Sequence, residues 1–410
     1  MTAFFLAVGL IFLVAAVCGS MAVRLHLPRV VGEMVAGLVV GQSLLGHLWP
    51  RAESYLFGKT VLNVLAAVGL LIVLLYVALI GAEFDRPALR GLNRGLVAAV
   101  AVGLAVAVAG AAGLGAALSD LEPAGVPRWT FFVFLTGALL VTAVPVLARI
   151  LEETGLTRTR VGTVTLTLSI ADDFVAFSII AMAIAVATHG SLVLAMIGTA
   201  LLVALVLGSK IAYRVRRRLG EARAASALGL GILALAVGAI DSLGASTLVA
   251  AFIVGGLVWR PVVSTAPVHG ADFIRALVPL YIVYAALSVD VSRLVEPRLA
   301  VAILLVTAVA IATKIVACLI ASRLLSLSRS QSVSLTVLRN TRGLTELVAL
   351  NAGYHAGLLS QDLYTVFFAM ALLTTAASGA IALAALRPVQ RDDNLTRDPS
   401  IGVSARVPAG

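Results

Sequence analysis

The chemistry of this sequence is concentrated in a few charged residues set inside apolar runs. Asp172 and Asp173 stand side by side in Ser169-Ile170-Ala171-Asp172-Asp173-Phe174-Val175-Ala176-Phe177. Lys314 stands in Ile311-Ala312-Thr313-Lys314-Ile315-Val316-Ala317-Cys318. A third group reads Arg339-Asn340-Thr341-Arg342-Gly343-Leu344-Thr345-Glu346. Charges in such surroundings are costly, which makes each of them a candidate functional residue. Adjacent buried carboxylates disfavour each other's ionisation, so one of them can hold a proton that an incoming cation displaces. Neighbours on a helix point about 100° apart, so the two carboxylates face different partners. The plainer alternative is an end-of-helix pair wetted by the interface. The apolar turns that follow Asp173 argue against it. Lysine can give up a proton where arginine effectively never does. Of 30 basic residues only Lys59, Lys210 and Lys314 are lysines. Lysine at this position therefore points to a titrating group, against a structural ion pair that never breaks.

Arg342 and Glu346 are four apart and can pair on one helix face. Gly343 between them suggests an interrupted helix. Thr142-Ala143-Val144-Pro145 marks a second interruption, because proline removes a backbone donor and clashes with the carbonyl one turn earlier. Two interrupted helices at corresponding places in the two halves of a chain point to an ion site near the bilayer midplane. The freed carbonyls can coordinate a cation, and Arg342 and Glu346 can compensate the half-helix dipoles. Glu33, in Val31-Gly32-Glu33-Met34, is either a funnel residue on the approach to that site or an interfacial one. Asp241, Asp290 and the five histidines fall at loops or helix ends.

The elements that must hold these residues are membrane helices. The chain has 410 residues, 61% hydrophobic and 12% charged. Soluble domains average roughly 45–50% apolar and about 25% charged, which excludes a soluble enzyme and a disordered protein. A spanning helix needs about 20 mostly apolar residues. That length gives thirteen predicted spans, numbered in order: 2–23, 30–46, 60–82, 94–118, 129–150, 161–187, 191–213, 224–241, 245–260, 273–291, 299–325, 332–357 and 362–386. The fold class is therefore an all-α polytopic membrane protein. The net charge of +10 is explained by loop orientation, with no nucleic-acid partner implied. With the N-terminus outside, twenty-two of the 30 basic residues fall on the cytoplasmic side. The strongest basic loop, Lys210 to Arg223, follows span 7. Six spans lie on either side of span 7, so the halves have opposite topology, as in inverted-repeat transporters. The tail 387–410 reads as disordered. Cys18 and Cys318 form no CxxC, and no hydrolytic motif appears, so neither a metal cofactor nor an enzyme is expected.

Four stretches together carry a resemblance: Val30 to Gly37, Thr142 to Leu151, Ala171-Asp172-Asp173, and Arg342 to Glu346. The chain resembles the bacterial cation:proton antiporter-2 family of the sodium/hydrogen exchanger superfamily over spans 2 to 13. The resemblance implies a homodimer in the cytoplasmic membrane. It implies a scaffold of spans 1–3 (residues 1–92) and 8–10 (224–297), and an ion-carrying core of spans 4–6 (93–188) and 11–13 (298–386). Residues 189–223 would be the linker, and spans 5 and 12 would cross at their breaks. It further implies elevator-like alternating access. Asp173 would bind the transported monovalent cation and protons in turn, Asp172 would pair with Lys314, and Thr142 would help coordinate the ion. The Asp-Asp pair with lysine resembles the electrogenic sodium/proton branch. Sodium or lithium is thus the expected cargo, with potassium/proton exchange the alternative and a channel or sensor more distant.

Overall fold

The computed structural model describes residues 2–83, 94–123, 125–157, 159–189, 269–292 and 296–386, with the isolated positions 193, 231, 251, 254 and 255. Every regular element among the described residues is a helix, with no strand among them. In chain order the helices are α1 (Thr2–Arg24), α2 (Arg29–Val40), α3 (Leu45–Leu48), α4 (Pro50–Leu56), α5 (Lys59–Glu83), α6 (Arg94–Ala117), α7 (Arg128–Leu140), α8 (Val144–Glu153), α9 (Arg160–His189), α10 (His269–Leu287), α11 (Pro297–Leu324), α12 (Arg329–Arg339), α13 (Leu344–His355) and α14 (Gln361–Ala385). Seven of the described segments, Arg29–Leu48 among them, are long and apolar enough to cross a membrane. The protein is a multi-pass membrane protein. Predicted spans 7 to 9, the basic loop Lys210 to Arg223 and the tail from 387 lie outside the described residues.

Spans 5 and 12 are each built from two helices. α7 ends at Leu140 and α8 starts at Val144, while α12 ends at Arg339 and α13 starts at Leu344. Pro145 is the second residue of α8, where the lack of an N–H costs nothing and a fixed φ helps the helix begin. The proline thus opens the second half-helix and does not simply kink the first. Gly343 has φ +155°, a backbone that L side chains rarely adopt, so the turn into α13 needs glycine. The second span runs over Arg29–Leu48, in keeping with its predicted range, but α2 stops within it at Val40. Beyond it the Gln42 N–H donates to the Leu287 carbonyl of α10 at 3.1 Å, which ties the chain to a neighbour in place of its own helix.

Packing sorts the described helices into two groups. α1, α2, α5 and α10 pack on one another, and α6, α7, α9, α11, α12, α13 and α14 pack together with α8. The principal contacts between the groups are α10 with α13 and α2 with α14. Lipid offers no hydrophobic drive for helix association, so close approach of backbones must supply it, and small residues permit that approach. On α6 the buried stripe Ala99, Gly103, Ala107 and Ala111 repeats every four residues, and α6 packs closely on α11. The buried stripe of α11 runs Val306, Ala310, Lys314, Ala317, Cys318 and Ala321. Lys314 thus occupies a packing position and points into the protein.

α2 meets α10 in the same manner. A Cβ at Gly37 would lie 2.7 Å from the Val283 carbonyl oxygen and against Ala286. Replacing Gly37 by leucine should force these helices apart and cost about 1–3 kcal/mol, as overpacking does. The expected outcome is a lower melting temperature of the detergent-solubilised protein, followed by size-exclusion chromatography after heating.

Candidate functional site

The site is assembled where the two broken helices cross. The Ala143 N–H of the first break donates to the Thr341 carbonyl of the second at 3.1 Å. The Thr345 hydroxyl returns from α13 to the Thr142 carbonyl at 3.3 Å. Arg342 is tied to α14 through Thr375, whose hydroxyl accepts from the Arg342 N–H at 3.1 Å and donates to its carbonyl at 2.6 Å. A helix that ends inside a protein leaves carbonyls without N–H partners, and in an apolar surrounding these must be met by other groups. At the end of α7 two cations meet three consecutive carbonyls. The Arg342 guanidinium donates to Ala138 O at 3.1 Å and to Leu139 O at 3.2 Å. The Lys314 Nζ donates to Leu140 O at 2.7 Å. Both positive charges sit at the negative end of the α7 dipole. The remaining charge of Arg342 is matched by Glu346, 2.6 Å away.

The adjacent aspartates of α9 diverge as helical geometry requires. Asp173 Oδ1 accepts the backbone N–H of Thr142 at 2.7 Å, so it satisfies a donor freed by the first break. Asp172 faces α11 and α12. Its Oδ2 forms an ion pair with Arg339 Nη2 and lies 3.7 Å from Lys314 Nζ. Lys314 also donates to Thr142 Oγ1 at 2.7 Å. Its ammonium is therefore surrounded by a carbonyl, a hydroxyl and a carboxylate oxygen. Oxygens of this kind coordinate alkali cations in transporters with broken helices. Asp172, Lys314, Arg339, Arg342 and Glu346 are buried, and Asp173, at 8% exposure, is the most accessible of the charged residues here.

Of the residues picked out from the sequence, Thr142, Asp172, Asp173, Lys314, Gly343, Arg342 and Glu346 come together at the crossing. Pro145 opens α8 as its second residue, and Glu33 stands apart. Glu33 is buried on α2 and pairs with Arg29 on its own helix at 3.3 Å. The expected Asp172–Lys314 pair is the longer of two, and Arg339 holds the shorter. Sequence reasoning placed Arg339 in a span but assigned it no partner. Charge balance carried the signal: Asp172, Asp173 and Glu346 equal Lys314, Arg339 and Arg342 in number, and each buried carboxylate needs a cation. The Leu140 carbonyl was invisible, since any residue type can end a helix.

A family model described as "Sodium/hydrogen exchanger, transmembrane" matches residues 10–386. Among curated proteins, the chain is 32% identical over 385 residues to the Na(+)/H(+) antiporter NhaS4 of Synechocystis sp., covering 88% of this chain and 92% of that one. It is 30% identical over 387 residues to the Cation/H(+) antiporter 18 of Arabidopsis thaliana, covering 90% of this chain but 47% of the plant protein. Among solved structures, the sodium proton antiporter MjNhaP1 from Methanocaldococcus jannaschii superposes with a TM-score of 0.66 at 13% identity, over 96% of this chain and 99% of that one. At that identity the likeness concerns the fold.

The carbonyl-capping role of Arg342 has a measurable consequence. Arg342→Met leaves Glu346 as an unpaired buried charge and frees two carbonyls of α7. Breaking a buried pair from one side costs about 3–5 kcal/mol. The expected result is a large fall in thermal stability in detergent, with partial recovery in the Arg342→Met/Glu346→Gln double variant.

Proposed function

The chain belongs to the sodium/hydrogen exchanger family, and from that membership we propose that it is a secondary antiporter exchanging sodium, or lithium, for protons. The family is one of transporters, not of enzymes. The observation that carries this reading is Asp173, held by a backbone N–H at the crossing of two broken helices, with an ammonium already seated among oxygens beside it. A cation arriving at Asp173 meets the Thr142 hydroxyl and the Leu140 carbonyl as further ligands. It must displace the Lys314 ammonium or bind after that ammonium has lost its proton. Protons entering from the opposite side restore the cation-free state. Asp172 balances the positive charge beside the site.

The proposed architecture has thirteen spans in two inverted six-helix repeats. Its supports are the two matching helix breaks and the segregation of helices into two packing groups. In this reading residues 1–92 and 224–297 form the scaffold of a homodimer. Residues 93–188 and 298–386 form a core that moves as an elevator, linked through 189–223. The protein lies in the cytoplasmic membrane with its N-terminus outside and the tail 387–410 inside, as the distribution of arginines favours. Glu33, on α2 of the scaffold, then lines the approach to the core. Exchange is electrogenic, because both Asp173 and Lys314 can change protonation while one monovalent cation crosses. Each elementary charge then contributes roughly 2.3 kcal/mol per 100 mV.

In proteoliposomes with a pH-sensitive dye, sodium addition should dissipate a preformed proton gradient, and Asp173→Asn should abolish the response. Normal sodium-driven proton movement by Asp173→Asn would overturn the assignment. Running the same assay with potassium distinguishes the alternative cargo. Lys314→Gln should retain exchange but lose dependence on membrane potential; unchanged voltage dependence would make the lysine structural.

A further inference from the structure

Two buried cations contend for one carboxylate in this site, and the contest bears on how cargo binds. Asp172 Oδ2 is bonded to Arg339 and is 3.7 Å from Lys314. The Arg339 guanidinium spans α9 and α11, with its other terminal nitrogen 3.8 Å from Cys318 Sγ. Arg339 is 1% exposed, and its helix is anchored at the start by a capping box between Ser328 and Gln331. A guanidinium does not lose its proton, and charge-assisted pairs to carboxylates are among the strong hydrogen bonds. Asp172 is therefore neutralised without Lys314, and the lysine ammonium is free to turn to Leu140 O and Thr142 Oγ1.

We infer that Arg339 is a positioning residue for transport: by holding Asp172, it keeps the Lys314 ammonium in the oxygen seat beside Asp173 that the cargo cation must take. This rests on the antiport reading given above. Cargo then competes with Lys314 for oxygens, and the bridge it has to loosen between Lys314 and Asp172 is already the longer one, at 3.7 Å. Arg339 also cancels one negative charge that would otherwise attract cations and protons alike. Its charged surroundings are few. α9 brings Asp172 and Asp173, and α11 brings Lys314 and Cys318. Of the other helices packed on α12, α8 carries Arg149, Glu152 and Glu153 in its second half, and α14 carries Asp362 at its start, where it pairs with Arg298 at 3.6 Å. Methionine fills much of the volume of arginine without its charge. In Arg339→Met the lysine closes on Asp172, the oxygen seat empties and the site becomes more negative.

The test is the exchange assay on the full chain, with cation KM and maximal rate measured over a pH series using sodium, lithium and potassium. Arg339→Met should lower the cation KM about tenfold and lower the maximal rate, because a tighter site releases more slowly. The pH at which KM is half-way between its limits should rise by roughly one unit, since an added net negative charge favours protons as well as cations. Arg339→Lys, which restores the charge, should return both towards wild type. A merely structural pair predicts otherwise: less folded protein or a lower rate, with KM and pH profile unaltered, and that result overturns the inference. Should Arg339→Met fail to fold, Arg339→Gln and Arg339→Lys decide: equal KM and pH profiles for these two also overturn it. A wild-type protein that moves no protons with any of the three cations sinks the antiport reading itself. A wild type that exchanges normally beside an unaltered Arg339→Met sinks only the role of Arg339.

Discussion

The structure is organised around a helix that stops in the wrong medium. α7 ends at Leu140 among buried residues, and its last carbonyls have no N–H groups ahead of them. Water would satisfy them at a protein surface; in an apolar interior each unsatisfied group costs several kcal/mol. Arg342 and Lys314 meet these carbonyls directly, and the second break supplies the Thr341 carbonyl that accepts the Ala143 N–H freed at the first. Most of the site follows. Cations brought in to cap carbonyls must be balanced by carboxylates. Glu346 balances Arg342, Asp172 balances Arg339 and lies within reach of Lys314, and Asp173 caps the Thr142 N–H.

This arrangement separates charges that stay from charges that can leave. Arg342 and Glu346 are one turn apart on adjoining segments, and Arg342 is bound through its backbone, two carbonyls and the Glu346 carboxylate, so it braces the crossing. Lys314 is held differently. Its three oxygen neighbours come from three different places, the end of α7, the break and α9, and none is a close ion pair. A compact ammonium on a flexible stem can leave such a seat, whereas a guanidinium locked to a carboxylate cannot do so at comparable cost. On the proposed function, that contrast lets one cation exchange with the cargo while the others preserve the frame.

The helices around the site divide labour in a related way. α6 and α11 approach through small residues, which brings Lys314 within reach of the first break. α9 sets both aspartates by its own continuity, since it runs unbroken from Arg160 to His189. The group of α1, α2, α5 and α10 touches this assembly mainly through α10 and α2. On the proposed function, these few ties suit a core that moves against its neighbours.

The sequence by itself determined the class of the molecule and nearly all of the charges that the fold buries together. Apolar runs about 20 residues long can only be membrane helices, and a charge within one stands out because its burial is so costly. Asp172, Asp173, Lys314, Arg342 and Glu346 were legible for that reason, and Gly343 and Pro145 because each has a backbone consequence. Only the tertiary structure decided who pairs with whom. Asp172 and Arg339 are far apart in the chain, and across the second break helical spacing no longer relates Arg339 to Arg342. The Leu140 carbonyl became a ligand through where its helix stops, which no side chain announces. Local pattern governs what must be buried, and the crossing of two interrupted helices selects which buried charge each cation meets.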